Sequence, residues 1–249
     1  MAVFEGSRHL ESHSGGRGVL VSGVPGVEPA KIVILGGGVV GLNAAKIAAG
    51  TGAQVTIFDV SHDRLRYLDD ILPANVTTLY SNPLLVRKKV RQADLVIGPV
   101  LVAGAKGPVL VRREDVQEMK DASVLIDVAV DQGGCIETCR PTTHSEPTYG
   151  EEGVLHYCVA NMPGAVARTS TFALTNVTLP YLEVLAREGV EGFLGFGEHV
   201  AAGLNVHGGR VYHEGVAESF DLPLEPIASL LSNNGYDKSR FSRRDENRV

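Results

Sequence analysis

Apolar positions along the chain fall in short continuous runs separated by stretches of helical spacing. Lys31–Leu35 (KIVIL) is such a run, the mark of a strand buried on both faces. Small residues follow over 39–49, a helix ended by Gly50 and Gly52. The alternation then repeats. Strands are predicted over 54–58, Val76–Tyr80, 94–100 and 123–130, with a last one over 156–160. Helices are predicted over 63–71, 84–92 and 113–119. Strands and helices alternating at this spacing imply βαβ units and a parallel sheet with right-handed crossovers. The polar first 14 residues suggest a short helix, and the glycine- and proline-rich 15–30 a loop. Residues 170–188 predict one long helix that Pro180 should kink. The stretch 191–231 is weakly patterned, and 232–249 is polar enough to predict a disordered tail. The expected division is a leading helix and loop over 1–30, a main α/β domain over 31–165, a remnant of a second domain over 166–231, and the tail.

Composition narrows the class. The 249 residues are 44% hydrophobic and carry a net charge of −6. That supports a real core, and without a basic stripe it argues against a nucleic-acid partner. No apolar run approaches a membrane span, and the first residues contain no signal-like apolar segment. A cytoplasmic location is the expectation. Cys135, Cys139 and Cys158 are too few for a disulfide framework and lack a second pair at zinc-ligand spacing, so buried or loop thiols are expected and no metal.

The chemistry concentrates after the first strand. Gly36-Gly37-Gly38-Val39-Val40-Gly41 fits G-x-G-x-x-G between a buried strand and a small-residue helix. Gly36 would permit the tight turn, Gly38 close approach of a diphosphate, and Gly41 close packing of helix on strand. The helix start offers free N–H groups and partial positive charge. Asp59 closes the second strand, 18 residues after Gly41, where a carboxylate accepts from ribose hydroxyls. It would repel a 2′-phosphate, so NAD is expected over NADP. Arg64, one helical turn on, complicates this, since arginine can host such a phosphate. The fold expected is a Rossmann-type doubly wound α/β sheet.

Two further clusters follow predicted strands, at the edge where open parallel sheets bind ligands. Asp127 reads as structural, capping a neighbouring turn. For Asp131, before Gly133 and Gly134, position alone leaves a ligand role and a turn-forming role both open. Asn161 could orient a carboxamide or carboxylate, and Met162 is of a type that more often packs. Of the histidines, His9, His13, His62 and His144 lie in polar segments and read as solvated, and His156 falls within a strand. None stands out as a general acid or base.

The segments GGRGVLVSGVPGVEPAKIVILGGGVVG, ADLVIGPVLVAGAKGPVLV, IDVAVDQGGCIETCRPTTHSEPTY and YCVANMPGAVARTSTFALTNVTLPY together resemble NAD-dependent alanine dehydrogenases. The resemblance runs to about residue 231. The related transhydrogenase domain shares the architecture but differs after the fifth strand. The resemblance implies oxidation of L-alanine by NAD to pyruvate, ammonia and NADH, in a homo-oligomer. It implies that Asp131 is the catalytic aspartate and that Asn161 and Met162 lie near nicotinamide and substrate. It further implies that Asp59, Arg64, Ser81, Val100, Leu101 and Val128 line the cofactor. Family members carry an additional N-terminal half. That half holds the arginine and lysine that bind the substrate and the catalytic histidine, and these 249 residues contain no match to it. Three readings follow: an active dehydrogenase completed by that half, an inactive NAD-binding module, or an interaction subunit.

Overall fold

The computed structural model describes residues 1–100, 107–194 and 198–232. The chain divides into two compact units, Met1–Val166 and Ala167–Val249.

In the first unit α1 (Ala2–His9) precedes β1 (Lys31–Leu35), α2 (Val39–Gly50), β2 (Gln54–Asp59), α3 (His62–Ile71), β3 (Val76–Tyr80) and α4 (Pro83–Val90). Then come β4 (Leu95–Gly98), α5 (Arg113–Gln117), β5 (Val124–Asp127), β6 (Thr148–Glu151) and β7 (Val154–Tyr157). The described residues build a seven-stranded sheet in the order β3-β2-β1-β4-β5-β7-β6. All pairs are parallel except β6 on β7. Both faces are covered, which explains the continuous apolar runs. Ile32, Ile34, Val55, Ile57, Leu95 and Ile97 pack on one side with Ala45 and Ala48 of α2 and Leu68 of α3. Val33, Leu35, Val96 and Leu125 pack on the other with Val86 and Val90 of α4. α1 buries Val3 and Gly6, and Leu10 follows just past its end, so that Val3 and Leu10 join the first core. A Cβ on Gly6 would stand 2.5 Å from Leu95 Cδ2, so glycine sets how closely α1 lies on β4. The strand order reverses between β1 and β4, which opens a crevice beyond their C-terminal ends.

Three strands differ from the sequence expectation. β4 stops at Gly98, because Pro99 has no N–H to continue a ladder. β5 stops at Asp127, whose Oδ1 accepts the Ala129 N–H at 3.0 Å and turns the chain into a 3-10 turn, Val130–Gln132. The strand expected over 156–160 lies earlier, as β7, and it pairs with β6, which the hydrophobic pattern did not disclose. Glu152 (φ 52°) and Gly153 (φ 75°) connect the two as a two-residue hairpin with both φ values positive.

In the second unit α6 spans Ala167–Leu194. Its backbone stays helical through Pro180, and the predicted kink falls instead at Gly189 (φ 69°, ψ −171°), a conformation open to glycine. Short elements follow: α7 (Glu198–Ala201), β8 (Val206–His207) paired with β9 (Arg210–Val211), α8 (Glu214–Phe220) and α9 (Ile227–Ser232). The tail expected over 232–249 lies, beyond Ser232, outside the described residues. No helix among the described residues is long and apolar enough to cross a membrane. Along α6, Phe172, Leu174, Val177, Leu179 and Leu182 are exposed. Apolar surface on that scale favours association. The purified chain is expected to self-associate in light scattering; a single sharp monomer peak would contradict this.

Candidate functional site

The sheet's C-terminal edge gathers most of the residues singled out from sequence. Gly36 leaves β1 with φ 110°, a turn that a side chain would strain. A Cβ there would lie 3.1 Å from Val100 Cγ2, so Val100, just past β4, sits against the loop. A Cβ on Gly41 would stand 1.8 Å from the Gly36 carbonyl oxygen, which only glycine avoids. At Gly38 a Cβ would meet nothing within 4 Å. Glycine there answers to neither packing nor an unusual φ (−63°), and the loop is open to a ligand at that point. Val39 and Val40, the first residues of α2, are exposed beside it. Their N–H groups begin a helix and so lack intrahelical acceptors.

Asp59 and Arg64 hold this loop from one side. Asp59 Oδ2 accepts the Gly37 N–H at 2.8 Å, and Oδ1 accepts the Ser61 N–H at 2.8 Å. Arg64 donates from Nε to the Gly37 carbonyl and from Nη2 to the Gly38 carbonyl at 3.3 Å. Ser61 caps α3 through its hydroxyl, which accepts the Arg64 N–H. Ser81, past β3, donates its N–H to the Asp59 carbonyl at 2.9 Å. A cavity of about 510 Å³ runs from Val60 and Ser81 to Leu84, Val109 and Leu110. Sequence reasoning named only Ser81 of these. The apolar members read as ordinary core or loop positions, and no spacing marks them.

Along the same edge, Val128 is half-buried and donates its N–H to the Gly98 carbonyl at 3.0 Å. Asp131 is exposed on the 3-10 turn after β5. Asp127 is fully buried beneath it. Its Oδ2 accepts the N–H groups of Cys135 (2.8 Å) and Ile136 (3.3 Å), in addition to the Ala129 bond on Oδ1. Burial raises the Asp127 pKa above the ordinary carboxyl value, and the three N–H donors oppose that shift. Gly134 (φ 61°) closes the turn, where a Cβ would sit 2.5 Å from Asp127 Oδ2. Burial also pushes the Cys135 thiol up to about 12.

Past β7, Asn161 is exposed in the left-handed region (φ 58°), which asparagine tolerates. Its carbonyl lies 3.1 Å from the Nε2 of His144, which is exposed, in line with the sequence expectation, and braces this turn from the solvent side. Met162 is 4% exposed and packs in the first core. The structure thus brings Asn161 to the open edge and the Met162 side chain into the interior. His156 is buried, its Nδ1 3.0 Å from the Val154 carbonyl and its Nε2 2.8 Å from Thr138 Oγ1. A carbonyl only accepts, so Nδ1 carries the proton. Burial lowers the His156 pKa, and the ring stays neutral and structural. Leu101 lies outside the described residues. Among those described, no three His, Cys, Asp or Glu side chains are grouped to hold a metal ion.

Comparison with known proteins identifies relatives of similar sequence and fold. The model of the family "Alanine dehydrogenase/PNT, C-terminal domain" matches residues 2–214. An alanine dehydrogenase of Halomonas elongata is 54% identical over 231 residues, 93% of this chain and 62% of that protein. One of Bacillus subtilis is 51% identical over 234 residues, 94% of this chain and 62% of that protein. A solved L-alanine dehydrogenase superposes with a TM-score of 0.84 at 52% identity, covering 88% of this chain and 61% of its own. A transhydrogenase structure from Sinorhizobium meliloti, 24% identical with a TM-score of 0.64 over 86% of this chain and 60% of its own, shares the fold. The chain therefore spans about 62% of the length of these curated relatives, and it belongs to the alanine dehydrogenase/PNT C-terminal domain family.

Proposed function

We propose that these residues bind NAD(H) along the sheet's C-terminal edge, as the cofactor-binding part of an alanine dehydrogenase. The observation that carries this reading is the loop after β1, open at Gly38 and flanked by Asp59. The chemistry fits a dinucleotide. N–H groups at the start of α2 suit a diphosphate. Each Asp59 oxygen accepts one N–H, and a carboxylate oxygen has two lone pairs. One site per oxygen therefore remains for the paired hydroxyls of a ribose, and a 2′-phosphate there would meet negative charge. The cavity lined by Val60, Leu84, Val109 and Leu110 offers an apolar slot for adenine. Val100 and Val128 would flank the nicotinamide end.

The reaction proposed for the whole protein is L-alanine plus NAD and water to pyruvate, ammonia and NADH. The cofactor supplies a hydride acceptor. Asp131, exposed on its turn, would take and return a proton at the substrate nitrogen or oxygen as amine becomes imine and imine becomes ketone. The Asn161 amide would orient the reacting group. Coverage of 62% of the relatives' length favours a second reading as well, in which these residues bind NAD(H) without turning over alanine.

Isothermal titration with NADH tests the binding. Asp59→Ala is expected to weaken it by about 1–3 kcal/mol, roughly 5- to 150-fold. Unchanged affinity would remove Asp59 from the site. Alanine-dependent NAD reduction by the purified protein separates the two readings. Turnover that Asp131→Asn abolishes while NADH affinity persists supports the dehydrogenase; binding with no rate above blank leaves the module.

A further inference from the structure

We propose that Arg64 is a positioning residue for the diphosphate-binding loop, acting through the loop's carbonyls and not as a contact to the nucleoside. The inference rests on the NAD(H)-binding reading and concerns what aims the loop's donors.

A trans peptide points its C=O and its N–H in opposite directions. The Arg64 guanidinium accepts nothing and donates to two successive carbonyls, Gly37 through Nε and Gly38 through Nη2. Fixing the Gly37 carbonyl toward Arg64 turns the Gly38 N–H away from it. Fixing the Gly38 carbonyl does the same to the Val39 N–H. These are the donors at the open position, where a Cβ on Gly38 would meet nothing within 4 Å. The Gly38 carbonyl is also held by the first hydrogen bond of α2, from the Leu42 N–H at 2.9 Å, so the grip of Arg64 matters most at the Gly37 carbonyl, where a flipped peptide would present an acceptor to an anion. Asp59 completes the grip by accepting the Gly37 N–H, so three polar groups of Gly37 and Gly38 are tied to one side.

The guanidinium suits this task by shape. Nε–H and Nη2–H form a rigid planar fork that spans two neighbouring acceptors, and an ammonium is a single point of charge. Arg64 is itself held in place: its backbone N–H caps on Ser61 Oγ, and its guanidinium carbon lies 4.9 Å from the centre of the Tyr67 ring. With two of its N–H groups committed to the loop, this arginine is poorly placed to serve a 2′-phosphate.

The test compares ADP-ribose with adenosine, by calorimetry or by displacement of NADH, in the parent protein, Arg64→Ala and Arg64→Lys. The expected result is a loss of ADP-ribose affinity of about tenfold or more in Arg64→Ala, the size of one charge-assisted hydrogen bond. Adenosine, which lacks the diphosphate, should change by less than about twofold, and its retention also shows that the site is folded. Arg64→Lys should lose nearly as much as alanine, and it carries the test if Arg64→Ala does not fold. Equal losses for both ligands would make Arg64 a nucleoside contact and overturn the inference. Full recovery by lysine would make it a simple charge on the diphosphate and overturn it too, as would no loss at all. If the parent binds neither ligand, the NAD(H) reading falls and this inference with it.

Discussion

Gly41→Ala is expected to abolish measurable NADH binding and to destabilise the first unit by about 3 kcal/mol or more. Two effects of opposite sign compete at this position. Alanine is the better helix former, by roughly 0.5–1 kcal/mol, and Gly41 lies inside α2. Against that, the new Cβ would stand 1.8 Å from the Gly36 carbonyl oxygen. That oxygen is backbone, so no rotamer change relieves the contact. Either α2 must withdraw from β1 or the turn at Gly36 must open, and each moves the N–H groups that the ligand needs. Overpacking therefore wins over propensity. Gly38→Ala is the control. Nothing stands within 4 Å of its Cβ, and the backbone φ of −63° accepts a side chain. Its stability should change by less than about 1 kcal/mol, the scale of an N-cap exchange, while NADH affinity falls because the methyl occupies the ligand's approach. Urea unfolding beside NADH titration reads both quantities. Equal stability of Gly41→Ala and the parent protein would refute the packing account of the loop.

The same comparison shows what the sequence makes legible. Roles for Gly36 and Gly41 follow from spacing because a strand-turn-helix leaves few ways to pack, and the φ of 110° at Gly36 and the 1.8 Å contact at Gly41 are those consequences. Parallel strands were readable because both faces are buried and the apolar runs are unbroken. Strand ends were less so, since they depend on single polar atoms: the missing N–H of Pro99 and the Asp127 carboxylate that captures Ala129. β6 was invisible because its residues, Thr148–Glu151, are partly polar and lie on the sheet's edge. Its turn uses Glu152 where a hairpin of this kind usually has Asn or Asp. The bracing contacts of Arg64 and His144 cross 26 to 27 and 17 residues of chain, and no local pattern encodes them.

Asp127→Ala is expected to cost about 3–5 kcal/mol of stability, and the reason also sets how stability varies with pH. The carboxylate is fully buried and accepts three backbone N–H groups, from Ala129, Cys135 and Ile136. Alanine would leave these donors unsatisfied in an interior that water does not reach, at roughly 1–3 kcal/mol each before relaxation. Asp127→Asn keeps the shape but turns an NH2 group toward one set of donors, and should cost less, about 1–3 kcal/mol. Burial raises the Asp127 pKa in the folded protein above its unfolded value. Between the two values the folded state holds the proton more tightly, so stability falls as pH rises through that window and is level above it. This is opposite in sign to a salt-bridged carboxylate, whose contribution is lost on acidification. In Asp127→Asn the decline on leaving acid should disappear, and chemical denaturation across the acid range measures it. A parent protein that gains stability through that window by this residue, with the gain lost in Asp127→Asn, would mean that the three hydrogen bonds outweigh burial. The turn that carries Asp131 would then rest on a carboxylate held ionised, and acid would release that turn instead of tightening it.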